Sequence, residues 1–299
     1  MKVLIVGAGN VGAHIAYLCL FLPRIKEVLL YDVNQELLQG KCLDLNHSAG
    51  VIGKDIEFIP LENLKTNADI VVITAGFPRK QGMSRFDLLD ANVKIMEDVI
   101  SKLDFSTLQD SVFIIVSNPV DVLTYFFYKK AGLPRKKILG MAGVLDSGRF
   151  RYYLSQKLGE KISEIEPVVI GPHSKDMMCI YRKGDVKGIT EAVSETQSAG
   201  AKVVSYYKGG SAYFAPAAGA MVMLDKIIGD KKEILPAVAI LDGEYGYKDI
   251  AFGVPLKLGR GGIEEIIELE LSPEERTLLD NSIQGVKASI DYLSGQGKI

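Results

Sequence analysis

Short apolar runs alternate with longer amphipathic stretches through the first half of the chain. The runs at 3–6, 28–31, 56–59, 70–74, 112–116 and 137–140 are strand-like and bounded by Gly, Pro or polar residues. Between them, apolar residues recur at helical spacing, as in Leu88, Leu89, Val93, Met96, Val99, Ile100 and Leu103. Strands that alternate with helices predict a parallel sheet covered on both faces, joined by right-handed crossovers. The first run, Met1 to Val6, resembles the front of a signal peptide, but glycines at 7, 9 and 12 break it too early, so it reads as strand.

The pattern changes after about residue 143. A helix is expected over 145–158, then an apolar run over 167–170 and helices over 191–207 and 213–228. Strand-like runs follow at 234–240, 250–258 and 263–269. The last helix has a marked start, with Ser272 as N-cap, Pro273 at the first helical position and Glu275 completing a capping box. The fold class expected is therefore α/β: a Rossmann-type doubly wound parallel sheet over 1–143, followed by an α+β substrate or catalytic domain over 144–299. No repeat or low-complexity linker separates them.

Composition narrows the function classes. The 299 residues are 47% hydrophobic, enough for substantial cores, and the net charge of −2 gives no basic surplus for nucleic acid. No apolar run is long enough to span a bilayer. Cys19, Cys42 and Cys179 form no zinc-type cluster and read as buried thiols in a reducing, cytoplasmic setting.

Three segments carry candidate chemistry. Gly7-Ala8-Gly9-Asn10-Val11-Gly12 matches G-x-G-x-x-G between a strand and a helix, a turn whose backbone and helix N-terminus receive a pyrophosphate. Asp32 ends the second strand, where a carboxylate can accept from both ribose hydroxyls and repel a 2′-phosphate, favouring NAD over NADP. Of the three histidines, His14 reads as a packed or interface residue and His47 as a helix-end or subunit-contact residue. His173 follows a strand through Gly171-Pro172, on a loop suited to acid–base work. Asp146 is the carboxylate to orient it, with Arg149 three residues on, although a surface ion pair fits that spacing equally. The Gly-bounded segment from Gly76 to Arg85 presents Arg79 and Arg85, either as forks for one anion or as a solvated basic loop. Asn118 ends the neighbouring strand.

Taken with Thr74-Ala75-Gly76, Pro78-Arg79-Lys80, Gly82-Met83-Ser84-Arg85, Asn118-Pro119-Val120-Asp121, Leu145-Asp146-Ser147-Gly148-Arg149-Phe150 and Gly210-Ser211-Ala212-Tyr213, these segments resemble the lactate/malate dehydrogenase family over nearly the whole chain. The resemblance is strongest to its malate-specific bacterial-type branch. It implies reversible, NAD-dependent oxidation of malate to oxaloacetate, with His173 as proton donor and acceptor and Asp146 as its orienting carboxylate. It implies Arg149 as the clamp on the carboxylate beside the reacting carbon, Arg85 as the group that polarises the carbonyl, and Asn118 as a further substrate donor. Gly7 to Gly12, Asp32, Asn92, Val116, Ser117 and Asn118 would hold the cofactor. Arg79 stands where lactate enzymes usually carry glutamine and would pair the second carboxylate of a four-carbon diacid. A homodimer or homotetramer and a place in the tricarboxylic acid cycle are also implied. The remaining readings are a lactate or broader 2-hydroxyacid dehydrogenase, and a non-catalytic NAD-binding regulatory protein. A decarboxylating malic-type enzyme is disfavoured, since no metal site is apparent. One departure stands out. Ser174-Lys175-Asp176 replaces the family's Gly-Asp after the histidine, and Lys175 is expected to lower the imidazole pKa and shift the pH optimum.

Overall fold

The structure is a computed structural model that describes residues 1–78, 84–183, 186–208 and 210–299, with Arg85 described in its main chain. In chain order the first half contains β1 (Lys2–Val6), α1 (Asn10–Cys19), β2 (Glu27–Tyr31), α2 (Gln35–Ile52), β3 (Glu57–Pro60), β4 (Ile70–Ile73), α3 (Arg85–Lys102), α4 (Phe105–Leu108), β5 (Val112–Ile115), α5 (Val120–Ala131) and β6 (Ile138–Gly140). The second half contains α6 (Gly143–Leu158), β7 (Val168–Ile170), β8 (Met178–Ile180), α7 (Val186–Tyr207), α8 (Phe214–Gly229), β9 (Glu233–Asp242), β10 (Lys248–Gly259), β11 (Gly262–Ile266) and α9 (Pro273–Gly295).

Six strands pair in parallel in the order β3-β2-β1-β4-β5-β6. The chain winds one way from β1 to β3 and the other way from β4 to β6. Right-handed crossovers therefore place the two sets of helices on opposite faces. Every residue of β4 and β5 is buried, which is why these runs are apolar throughout rather than alternating. The switch point lies between β1 and β4, and the crevice outside their carboxyl ends is where such sheets bind ligands.

The second half supplies the expected helices and antiparallel strands, but β9, β10 and β11 do not form a separate sheet. They extend the parallel one: β9 meets β6 through Gly140 and Val238, antiparallel, and β10 and β11 follow. Gly140 permits this join, since a Cβ there would lie 2.8 Å from the Val238 Cβ and 2.6 Å from the Thr124 Oγ1. One continuous apolar core consequently runs from Val3 to Leu293. A smaller one, built on Phe150, Leu154, Ile165, Val169, Met177 and Ala192, lies under α6, α7 and β7.

Local chemistry explains the element ends. Ser272 caps α9 and Glu275 returns the bond, as its sequence predicts, and Ser84 and Asp87 do the same for α3. The Tyr125-Phe126-Phe127 run is buried on α5, with Phe127 against Phe113 at 5.0 Å between ring centroids. His47 does not end a helix: α2 continues to Ile52, and the residue is exposed within it.

Candidate active site

The glycine turn forms one end of a cleft. Gly7 adopts φ +100° and donates to Tyr31 O at 2.8 Å, and a Cβ on it would lie 2.6 Å from Ala75 N. A Cβ on Gly12 would strike the Gly7 carbonyl oxygen, so this glycine lets α1 pack on β1. Gly9 differs: it caps α1, and a Cβ there would meet nothing within 4 Å. The protein leaves that space open directly in front of the unpaired N–H groups of the helix, a fit for a pyrophosphate.

Asp32 braces the glycine turn. Its Oδ2 accepts from Ala8 N at 2.7 Å and its Oδ1 from Asn34 N at 3.0 Å. Lys41 Nζ donates to Ala8 O at 2.6 Å, so Ala8 is held from both sides. Neither tie was legible from the glycine motif alone.

The middle of the cleft is formed by the ends of β4 and β5. Thr74 Oγ1 donates to Gly7 O at 2.7 Å, and Ser117 Oγ to Ala75 O at 2.6 Å. Asn92 stands behind this wall rather than on it. Its Oδ1 accepts from Phe77 N at 2.7 Å, while its Nδ2 donates to Phe77 O at 3.1 Å and Asn118 O at 2.6 Å. With its amide bonded to main chain, Asn92 braces the two loops against each other. The Asn118–Pro119 bond is cis, and Asn118 is exposed at the cleft.

At the far end, α6 presents Asp146 in its first turn, 1% exposed. The Nδ1 of His173 donates to Asp146 Oδ2 at 2.6 Å, and Arg149 Nη1 donates to Asp146 Oδ1 at 3.2 Å. One carboxylate thus holds an imidazole and a guanidinium side by side, and the surface-pair reading of Asp146 and Arg149 fails on burial alone. With Nδ1 engaged, Nε2 is the ring nitrogen left for proton exchange. The loop carrying His173 is fixed at several points. Ser147 Oγ accepts from Val169 N at 2.8 Å, Gly171 N donates to Gly253 O at 2.8 Å, and Asp121 Oδ2 accepts from His173 N at 2.9 Å.

Burial pushes the His173 pKa down, but the charge and hydrogen bond of Asp146, helped by Asp121, outweigh both this and the opposing Arg149, and the net direction is up. Lys175 is exposed, and the cation that leads in lowering the ring's pKa is Arg149 rather than Lys175.

These parts share one cavity of about 350 Å³ that runs from Gly9 and Val11 past Ser117 and Asn118 to Arg149 and His173. Its outer wall comes from Gly200 on α7 and Ser211, Ala212 and Tyr213 before α8. The sequence motif Gly210 to Tyr213 could have announced this wall, but nothing in it names a role. Tyr213 also stacks on His14 at 5.0 Å, which makes His14 a packing residue. Phe77 and Pro78 lead out of the cavity toward Arg79, which lies outside the described residues; of Arg85 only the main chain, opening α3, is described.

The model of the lactate/malate dehydrogenase NAD-binding domain matches residues 1–140, and that of the family's α/β C-terminal domain matches 143–294. The chain belongs to the lactate/malate dehydrogenase family. Among relatives of this family, the malate dehydrogenase of Myxococcus xanthus is 39% identical over 97% of this chain and 96% of its own length. The solved malate dehydrogenase of Aeropyrum pernix superposes with a TM-score of 0.92 at 38% identity, covering 97% of each chain. A Cryptosporidium parvum lactate dehydrogenase, solved with lactic acid and its dinucleotide cofactor, gives 0.91 at 34% identity over 98% of each chain.

Proposed function

We propose that the protein is an NAD-dependent malate dehydrogenase, catalysing the reversible oxidation of (S)-malate to oxaloacetate. The observation that carries this reading is the single cavity joining the open Gly9 position to the Asp146-held pair of His173 and Arg149. When bound, the nicotinamide supplies the hydride acceptor. The protein supplies the rest. Neutral His173 takes the hydroxyl proton on Nε2 while Asp146 stabilises the imidazolium that forms. Arg149 grips the carboxylate beside the reacting carbon, fixing its orientation. Arg85 is assigned to the carbonyl oxygen, Asn118 to a further substrate hydrogen bond, and Arg79 to the distal carboxylate.

The cofactor reading is NAD over NADP, on the Asp32 carboxylate, with Gly7 to Gly12 and the 116–118 segment as contacts. The chain divides in function at 143/144, cofactor side before and substrate side after. We also assign a homo-oligomer, a dimer or tetramer, supported by the exposed Leu37, Leu43 and Val51 on α2, and a cytosolic location with its cysteines unpaired. Light scattering on the purified protein tests the assembly.

A second reading, lactate dehydrogenase, has support in the Cryptosporidium parvum structure. NADH oxidation measured side by side with oxaloacetate, pyruvate and 2-oxoglutarate separates the two. Oxaloacetate is expected to be the substrate, and Arg79→Gln should lose oxaloacetate turnover and gain some on pyruvate. An unchanged oxaloacetate preference in that variant refutes the role of Arg79. Tight NADH binding with no turnover of any 2-oxoacid would instead favour a regulatory protein.

A further inference from the structure

We propose that Asp121 is a positioning residue for His173: its carboxylate anchors the histidine's main chain while its charge joins that of Asp146 in supporting the imidazolium. The inference deepens the dehydrogenase reading and rests on it.

Asp121 lies in the first turn of α5, three residues after Asn118. A carboxylate at a helix start ordinarily turns to its own helix N–H groups or to water. This one is 6% exposed, and it reaches across 52 positions of sequence to accept the His173 N–H at 2.9 Å with Oδ2. Its other oxygen, Oδ1, is buried with no well-formed hydrogen bond among the described residues, and the only further hydrogen-bond help to the carboxylate is its own main-chain N–H. A neutral asparagine oxygen could accept one N–H without leaving a charge in the interior. Burying a half-used carboxylate is costly, and such a group calls for an explanation beyond the bond it makes.

The surroundings supply one. α5 leaves the 116–118 wall, on the cofactor side, and His173 faces the substrate end of the same cavity. Asp121 therefore ties the acid–base loop to the wall opposite, by a path independent of Asp146. The groups around the ring are Asp146 and Arg149 from α6, Asp121 from α5, and the exposed Lys175 and Asp176 on the histidine's own loop; α7 brings Gly200 to the cavity. The Cys179 thiol of β8 is near Asp146 and is pushed up to about 12 by burial, so it stays uncharged. Two carboxylates thus face one imidazole, one on the ring and one on the main chain. Burial pushes Asp121 up to about 6, a rise that the His173 N–H, the His173 charge and its own main-chain N–H restrain and the Asp146 charge adds to. Above about pH 6 the carboxylate form prevails.

The test uses Asp121→Asn, which keeps an acceptor oxygen and removes the charge, and Asp121→Ala, which removes both. With His14, His47 and His173 the only histidines, the His173 ring can be titrated by NMR in the whole protein. In Asp121→Asn, the His173 titration and the alkaline limb of the kcat/KM profile for oxaloacetate reduction should both move down by about half a pH unit or more. Asp121→Ala should lose about tenfold or more in kcat, with the NADH dissociation constant unchanged, and Asp121→Asn should restore most of that loss. An Asp121→Asn titration that superimposes on wild type overturns the electrostatic part. An Asp121→Ala kcat within about twofold of wild type overturns the positioning part. Should Asp121→Ala fail to fold, the positioning part passes to Asp121→Ser, whose hydroxyl is too short to reach the His173 N–H, under the same kcat criterion. If wild type turns over no oxaloacetate, the dehydrogenase reading fails, and the NMR titration still decides the influence of Asp121 on the ring.

Discussion

Replacing Asp146 by asparagine removes one charge from a buried position that holds an imidazole and a guanidinium. The side chain is 1% exposed and accepts from His173 at 2.6 Å and Arg149 at 3.2 Å. An amide offers one acceptor oxygen to these two donors, and its NH2 can invert the tautomer by donating to Nδ1. Removing one partner from a buried charge pair costs about 3–5 kcal/mol. At about 1.36 kcal/mol per decade, this predicts a loss of roughly 10²- to 10⁴-fold in kcat/KM. In malate oxidation the imidazole becomes charged only as the proton moves, so most of the loss should fall in kcat. The loosened Arg149 should in addition raise the KM for malate. Initial rates of NAD reduction across pH measure both, and NADH fluorescence titration checks that cofactor binding survives. A kcat loss of under about tenfold would show that Asp146 does not stabilise the imidazolium, and the proton-transfer assignment would fall with it.

Two glycines of one motif should separate by phenotype: Gly12→Ala should destabilise the fold by driving a methyl into the Gly7 carbonyl, whereas Gly9→Ala should melt like wild type and bind NADH at least about tenfold more weakly. Thermal melts with NADH titration test this, and equal effects at both sites would refute it. Asp32→Ser should raise the ratio of NADPH to NADH use in steady-state assays while lowering stability, since two main-chain N–H groups lose their acceptor. A variant that still rejects NADPH would place cofactor selection elsewhere. Asp121 also predicts a pH dependence of stability. Its pKa is raised from 3.8 to about 6 on folding, so its ionisation opposes the fold, with no cost below the unfolded value and a full cost, up to about 3 kcal/mol, above about pH 6. Relative to wild type, Asp121→Asn should gain stability in urea melts as pH rises from about 4 to 7, and a flat difference would refute the raised pKa.

The central strands β4, β5 and β6 were legible because they are buried on both faces, which leaves compact apolar runs between breakers. α2 was harder to bound: Leu38, Cys42, Leu45 and Ala49 face the core, but Leu37, Leu43 and Val51 are exposed and dilute the periodicity. β8 escaped notice because its Met-Cys-Ile run is as short as a turn and is strand only through pairing with β7. In the site, His173, Asp146 and Arg149 were legible from their places at a strand end and a helix start, and the structure brings them together. Asn92 read as a cofactor contact, yet its amide is consumed by main chain on both neighbouring loops. Lys175 read as a neighbour of the ring from adjacency in sequence, but the turn after His173 carries it to the surface. Asp121 passed unremarked because its partner lies 52 residues away, and only the folded chain reveals that distance.

The junction at Gly140 and Val238 makes a single slab of strands whose parallel portion ends in the middle. Severing the polypeptide near residue 143 would leave β6 with a naked row of amides and carbonyls on one piece and β9 with the matching row on the other, each flanked by greasy side chains. The two fragments should therefore re-pair when co-produced and precipitate when made apart.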